Sequence, residues 1–233
     1  MDATPPAQRR PWIDDPYDAA LRAGRGPLFL RSLTDAAAGE RLLPLDVERW
    51  CAPPDAGDRS VLGRCGGPVL DIGCGPGRLV AALTGRGVPA LGIDVSPAAV
   101  ARTRRLGGAA VRRSVFERLP GEGRWSTALL LDGNAGIGGD PVTLLARVHR
   151  LTAPGGLLMA EALTRNIDER LLVRIEDGRG RYGRPFAWAR LGAAALLDAA
   201  RAAGWTAVDR WTLGGRCFLA LRNTPDATQG TGP

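Results

Sequence analysis

The stretch Val69-Leu70-Asp71-Ile72-Gly73-Cys74-Gly75-Pro76-Gly77-Arg78 decides how the rest of this chain is read. Its first four residues, apolar except for Asp71, predict a short buried strand over 69–72. A glycine turn follows at once, and an apolar helical period then predicts a helix over 77–84. Gly73 suits a sharp turn because it tolerates positive φ, and Gly75, having no Cβ, lets a ligand approach the main chain. Pro76 presets φ for helix entry. The first amides of the helix then face a negatively charged group. A dinucleotide fingerprint, G-x-G-x-x-G, would need its third glycine at position 78, which is Arg78. That frame fails.

Outward from the loop, an apolar strand over 89–93 ends at Asp94, and Val95-Ser96-Pro97 opens a helix reaching 106. A carboxylate at that position is able to accept from both hydroxyls of a ribose. Its plainer role is a helix-start charge favoured by the dipole. Strands over 109–113 and 125–131, a helix over 141–151 and a strand from Pro154-Gly155-Gly156 through Ala160 continue the alternation. Such βαβ alternation predicts a parallel sheet. Beyond it come an alanine-rich helix over 191–203, closed by Gly204, and strands over 207–211 and 217–221 around Gly214-Gly215.

The G-x-G-x-G loop after a strand carrying an acid, Asp94 closing the next strand, and the string Leu151-Thr-Ala-Pro-Gly-Gly-Leu-Leu-Met-Ala-Glu161 together resemble the class I S-adenosylmethionine (SAM) methyltransferases. The resemblance covers about 69–221. It implies an α/β, Rossmann-like, seven-stranded, mostly parallel sheet with helices on both faces, its antiparallel seventh strand lying between the fifth and sixth. It also implies SAM as cofactor, leaving as S-adenosylhomocysteine (SAH), and a small-molecule acceptor. The cofactor contacts it implies are Asp71, Gly73, Cys74, Gly75, Gly77, Arg78, Asp94, Val95, Ser114, Val115 and Asp132. Tyr17 joins them from an N-terminal lid. Ser114 stands where relatives carry an acid for the adenine amino group. Arg78 either reaches the cofactor carboxylate or faces solvent, and Cys74 reads as a small packing residue.

Ligands of open α/β sheets bind beyond the carboxyl ends of the strands. The residues expected there are Asp71, Asp94, Ser114, Asp132 to Asn134 and Glu161. Asp132, Asn134 and Glu161 are therefore the catalytic candidates: Asp132 and Asn134 to orient an acceptor N–H or O–H, Asp132 or Glu161 to take a proton. Leu129 to Pro141, LLLDGNAGIGGDP, carries more glycines than a strand-to-helix passage needs. Within it Asp140 reads as an N-cap for the next helix. The loop shares only its asparagine with the N/D-P-P-Y signature of amino-methylating nucleic-acid enzymes. His149, the single histidine, falls late in the 141–151 helix, which disfavours a histidine base.

A chain of 233 residues suits one domain with additions. The reading divides it into tails over 1–11 and 223–233 expected to be disordered, a helical lid region over 12–65, and a core over 66–222. Within the lid region helices are expected around 17–23 and 45–51. A cap insertion over 164–190 carries a predicted strand over 170–176, a turn at Asp177-Gly178 and a return over 182–188. Tyr182, Phe186 and Trp188 line an acceptor pocket there or simply pack. No apolar run is long enough to cross a bilayer, and the N-terminus lacks a secretory pattern, so a cytoplasmic protein is expected. The four cysteines show neither metal-ligand nor disulfide-scaffold spacing. Net charge is +7, and all 31 basic residues are arginine. That charge motivates an RNA or DNA methyltransferase as an alternative, though the basic stretches lack interleaved aromatics. A SAM-binding protein without transfer activity is the other. Either a monomer or a homodimer fits.

Overall fold

The computed structural model describes residues 16–34 and 42–224. The described N-terminal segment opens with α1 (Pro16–Ala23), β1 (Phe29–Ser32), β2 (Leu42–Pro44), α2 (Val47–Cys51) and α3 (Ala56–Leu62). Asp46 caps α2 by accepting the Arg49 N–H at 3.1 Å. Asp55 and Asp58 start α3 with a reciprocal capping box: each carboxylate accepts the other residue's N–H, at 2.8 and 3.1 Å. The alternation foreseen from Val69 follows as β3 (Val69–Ile72), α4 (Arg78–Gly85), β4 (Ala90–Asp94), α5 (Pro97–Arg105), β5 (Ala109–Arg112), β6 (Trp125–Leu130), α6 (Pro141–Leu151) and β7 (Thr152–Ala162). The insertion contributes β8 (Asp168–Glu176) and β9 (Phe186–Leu191); α7 (Ala193–Ala202), β10 (Trp205–Leu213) and β11 (Arg216–Asn223) close the described chain.

Seven strands form one sheet in the order β10-β11-β7-β6-β3-β4-β5. Only β11 runs antiparallel, against both β7 and β10, so it lies between the fifth and sixth strands of the sheet as expected. Side chains alternate across it. Leu70, Ile72, Ala128 and Leu130 pack on the α6 and α7 side with Leu144, Val148 and Leu196. Val69, Leu129, Met159 and Phe218 pack on the other side with Leu62, Leu79 and Leu83. Both faces being covered, β3 and β6 read as nearly continuous apolar runs.

The lid region departs from the helical expectation. β1 and β2 join β8 and β9 in a second, antiparallel sheet ordered β2-β1-β8-β9. At four and three residues these strands are too short to show a period in the sequence. They exist because β8 offers Leu30 a partner at Ile175. A third core, of Leu21, Leu28, Val47, Ala99, Val173 and Ile175, joins this sheet to α1 and α5.

Candidate active site

The chain turns back across the main sheet between β5 and β6, so a crevice opens beyond the carboxyl ends of β3 and β6. There the structure holds a cavity of about 1280 Å³. Single small-ligand pockets run to about 300–1,000 Å³, so this one has room for a nucleoside and a second molecule together. Its walls include Gly73, Cys74, Gly75, Pro76, Arg78, Asp94, Val95, Ser114, Val115, Asp132, Asn134 and Tyr17.

The glycine loop is shaped by what crowds it. Gly73 has φ 70°, and a Cβ there would lie 2.7 Å from the Asn134 side-chain nitrogen. That amide donates to the carbonyls of Ile72 and Gly73, each at 2.9 Å. Asn134 therefore fixes the loop from beneath. Gly77 has φ 88° and presses against Thr103 of α5, so it serves packing and does not line the cavity. Cys74 is a buried thiol on the wall, its pKa pushed well up by burial, next by the charges of Asp94 and Asp71.

Asp94 lies at the junction. One carboxylate oxygen accepts the Gly75 N–H at 2.9 Å, the other the Ser96 N–H at 2.8 Å. Burial raises its pKa to about 6 against the pull of those bonds. Ser96, the N-cap of α5, donates its hydroxyl proton to buried Asp18. That bond ties α1 to the start of α5, and Tyr17 on α1 brings its hydroxyl over Gly75.

Several expected site residues have other surroundings. Arg78 does not face solvent: it is buried on the cavity wall and engaged by carboxylates of the chain itself. Its guanidinium clasps Asp58 at 2.8 and 2.9 Å and pairs with Asp132 at 2.7 Å. Asp132 also accepts from Arg49 at 2.7 Å and Arg216 at 3.2 Å. Arg216 further holds Glu161 at 2.7 and 2.8 Å, Asp58 at 2.9 Å and Asp55 at 3.2 Å. Three arginines and four carboxylates thus form one cage under the cavity floor. Burial pushes the Asp132 carboxyl up, but the guanidinium charges, Arg78 first and Arg49 next, outweigh it and hold the pKa below the usual range. A carboxylate so held takes up a proton only at low pH, which weighs against Asp132 as the proton acceptor. Glu161 is off the cavity wall, bound to Arg216 and to the Asp132 N–H at 2.8 Å. Asp71 is buried beneath the loop, off the wall, with its pKa raised by burial to about 7.

The cage could not be read from sequence because bonded partners in it lie up to 161 residues apart. The backbone at Asp132 is unusual as well. Asp132 has φ 57°, making it the only non-glycine at positive φ among the described residues. Aspartate tolerates that conformation better than most side chains. The glycine surplus after β6 also has a cause. The Asn134–Gly136 turn runs so close to β9 that a Cβ on Gly136 would lie 2.0 Å from the Ala189 carbonyl oxygen. An Ile137–Trp188 bridge joins the same pieces. Asp140 caps α6 as expected, accepting the Val142 and Thr143 N–H groups. His149 packs edge-on against Trp205, and neither it nor Tyr182 lines the cavity.

A mostly parallel sheet of this strand order, with a glycine loop and a strand-end carboxylate facing one crevice, defines a nucleotide-binding type of α/β fold. The family described as a methyltransferase domain matches residues 41–209. The protein belongs to that family, as residues 69–78 and Asp94 suggested. It is 36% identical over 113 residues to a ubiquinone biosynthesis O-methyltransferase of Pseudomonas aeruginosa, covering 45% of this chain and 47% of the relative. It is 34% identical over 164 residues to a trans-aconitate 2-methyltransferase of Methylobacterium nodulans, covering 67% of this chain and 59% of the relative. The chain thus spans about half the length of the curated relatives it matches. Among solved structures, a SAM-dependent methyltransferase from Bacteroides fragilis in complex with SAH shares the fold. Its TM-score is 0.71 at 21% identity, over 89% of this chain and 94% of that one. The 1,6-didemethyltoxoflavin-N1-methyltransferase of Burkholderia thailandensis aligns at TM-score 0.53 and 25% identity, over 72% and 76%.

Proposed function

We propose that this protein is a SAM-dependent methyltransferase acting on a small molecule in the cytoplasm. The observation that carries the reading is the meeting of the Gly73–Gly75 main chain with buried Asp94 on the wall of one large cavity. A nucleoside fits these donors and acceptors. Gly75 presents bare backbone to the cavity: a Cβ there would meet only the Tyr17 hydroxyl, at 3.7 Å. Asp94 keeps lone pairs for ribose hydroxyls, and Ser114 and Val115 would border the base. SAM, when bound, supplies an electrophilic methyl group on a cationic sulfur. The chain's own residues bind, orient and exclude water, which is where displacement at a methyl carbon gains most. Asn134 holds the loop, and the cage holds the end of β6 that borders the acceptor. The names of the relatives, an O-methyltransferase and a trans-aconitate methyltransferase among them, support a small acceptor over a nucleic acid.

Isothermal titration with SAH tests this reading. Micromolar binding is expected, and Asp94→Ala should weaken it about tenfold or more, the worth of hydrogen bonds to a charged group. Ribose hydroxyls donate to the ionised carboxyl, so affinity should fall as pH drops through about 6. No binding, or an affinity indifferent to Asp94, would refute it.

A further inference from the structure

The two additions to the core each bring an aromatic pair to the same cavity. Tyr17 and Trp50 from the N-terminal segment meet edge-on with ring centroids 6.3 Å apart; Phe186 and Trp188 from β9 do so at 5.9 Å. All four rings line the cavity. Tyr17 reaches the glycine loop, and Trp188 is bridged to Ile137 beyond β6, so the pairs flank the end where loop and β6 converge. Buried Leu30 and Ile175 extend the apolar wall between them. Of the lining residues that the two additions supply, Arg184 alone is charged, and it is exposed. The lining carboxylates, Asp94, Glu117, Asp132 and Asp140, all come from the core, and Asp132 is neutralised by three arginines.

We infer that the methyl acceptor is a planar aromatic or heteroaromatic molecule of low net charge, and that Trp50 and Trp188 select it through ring contacts. The inference rests on the methyltransferase reading and narrows it. A flat ring satisfies edge-to-face and offset-stacked partners that a saturated body of equal size leaves unused. An aliphatic ammonium, the other ligand of aromatic cages, would want a carboxylate beside the rings, and the two additions that carry the rings supply none to the lining. A polycarboxylate would need several cations beside the rings; the additions supply only Arg184, and the lining Arg112 and Arg113 come from the end of β5.

The test is calorimetric titration of the full chain saturated with SAH, using 2-naphthol, its saturated counterpart decahydro-2-naphthol, tetramethylammonium and trans-aconitate as probes. Saturation is checked first, so failure to bind SAH removes the methyltransferase reading itself and is distinct from failure of the inference. 2-Naphthol should bind about three- to tenfold more tightly than the decahydro compound. Trp188→Leu keeps an apolar side chain and removes the ring. It should erase that preference while leaving affinity for the decahydro compound within about threefold, and Trp188→Phe should restore part of it. Equal or tighter binding of the saturated, cationic or tricarboxylate probe would overturn the inference. So would equal losses for both ring systems in Trp188→Leu, or no binding of 2-naphthol to the SAH complex.

Discussion

Replacing Asp132 with asparagine separates a proton acceptor from a member of a buried ion cage. Asparagine has nearly the same shape and tolerates the φ of 57° found there, so the substitution removes charge and little else. In the parent, Arg49, Arg78 and Arg216 all direct N–H groups at this carboxylate, between 2.7 and 3.2 Å. Removing one partner of a buried pair costs about 3–5 kcal/mol. Arg78 keeps Asp58 and Arg216 keeps Glu161, while asparagine retains one acceptor, so the expected cost is about 2–4 kcal/mol. For a domain of this size that lowers Tm by roughly 5–15 °C and leaves it folded. Differential scanning fluorimetry measures it. The carboxylate pKa is depressed, so its contribution is present at neutral pH and is lost as pH falls through the depressed folded value, below about 4. The Tm gap between variant and parent should narrow in that range. An Arg49→Gln background supplies a double-mutant cycle, in which the two losses should not add. A Tm within about 2 °C of the parent, with additive losses, would refute the cage and return Asp132 to the list of candidate bases.

Two further outcomes follow from packing and burial. Gly136→Ala puts a Cβ 2.0 Å from the Ala189 carbonyl, so β9 must shift at a cost of about 1–3 kcal/mol. Gly66→Ala, which meets nothing within 4 Å, is the control, and equal Tm for the two variants would contradict the close approach. Asp71, with a folded pKa raised to about 7, binds a proton that the unfolded chain releases near pH 4, so it weakens the fold increasingly as pH rises between those values. Asp71→Asn should therefore gain on the parent from pH 4 to 7, by up to about 4 kcal/mol in urea denaturation. A constant difference across that range would refute the raised pKa.

The glycine loop, the Asp94 strand end and the alternation from β3 to β7 were legible because each is written in contiguous residues. Glycine spacing sets backbone freedom, and apolar period sets which face is buried. Asp140 as a cap was legible for the same reason. Asn134 was singled out by its place after β6, yet its hold on the glycine loop was not, since 61 residues separate it from Gly73. Trp50 gave no signal, lying on a five-residue helix that takes its place by packing with α1 into the third core.

The sequence by itself determined the βαβ alternation of the sheet, the place of its antiparallel strand by resemblance, and the glycine turn that closes β3. Tertiary structure alone decided that Arg78 is committed to Asp58 and Asp132, that Glu161 serves Arg216, and that the lid region builds a second sheet with the insertion. The physical reason is range. Turn geometry and periodicity act between neighbours in the chain, whereas a charge takes its partner and its pKa from whatever folding brings within a few ångströms.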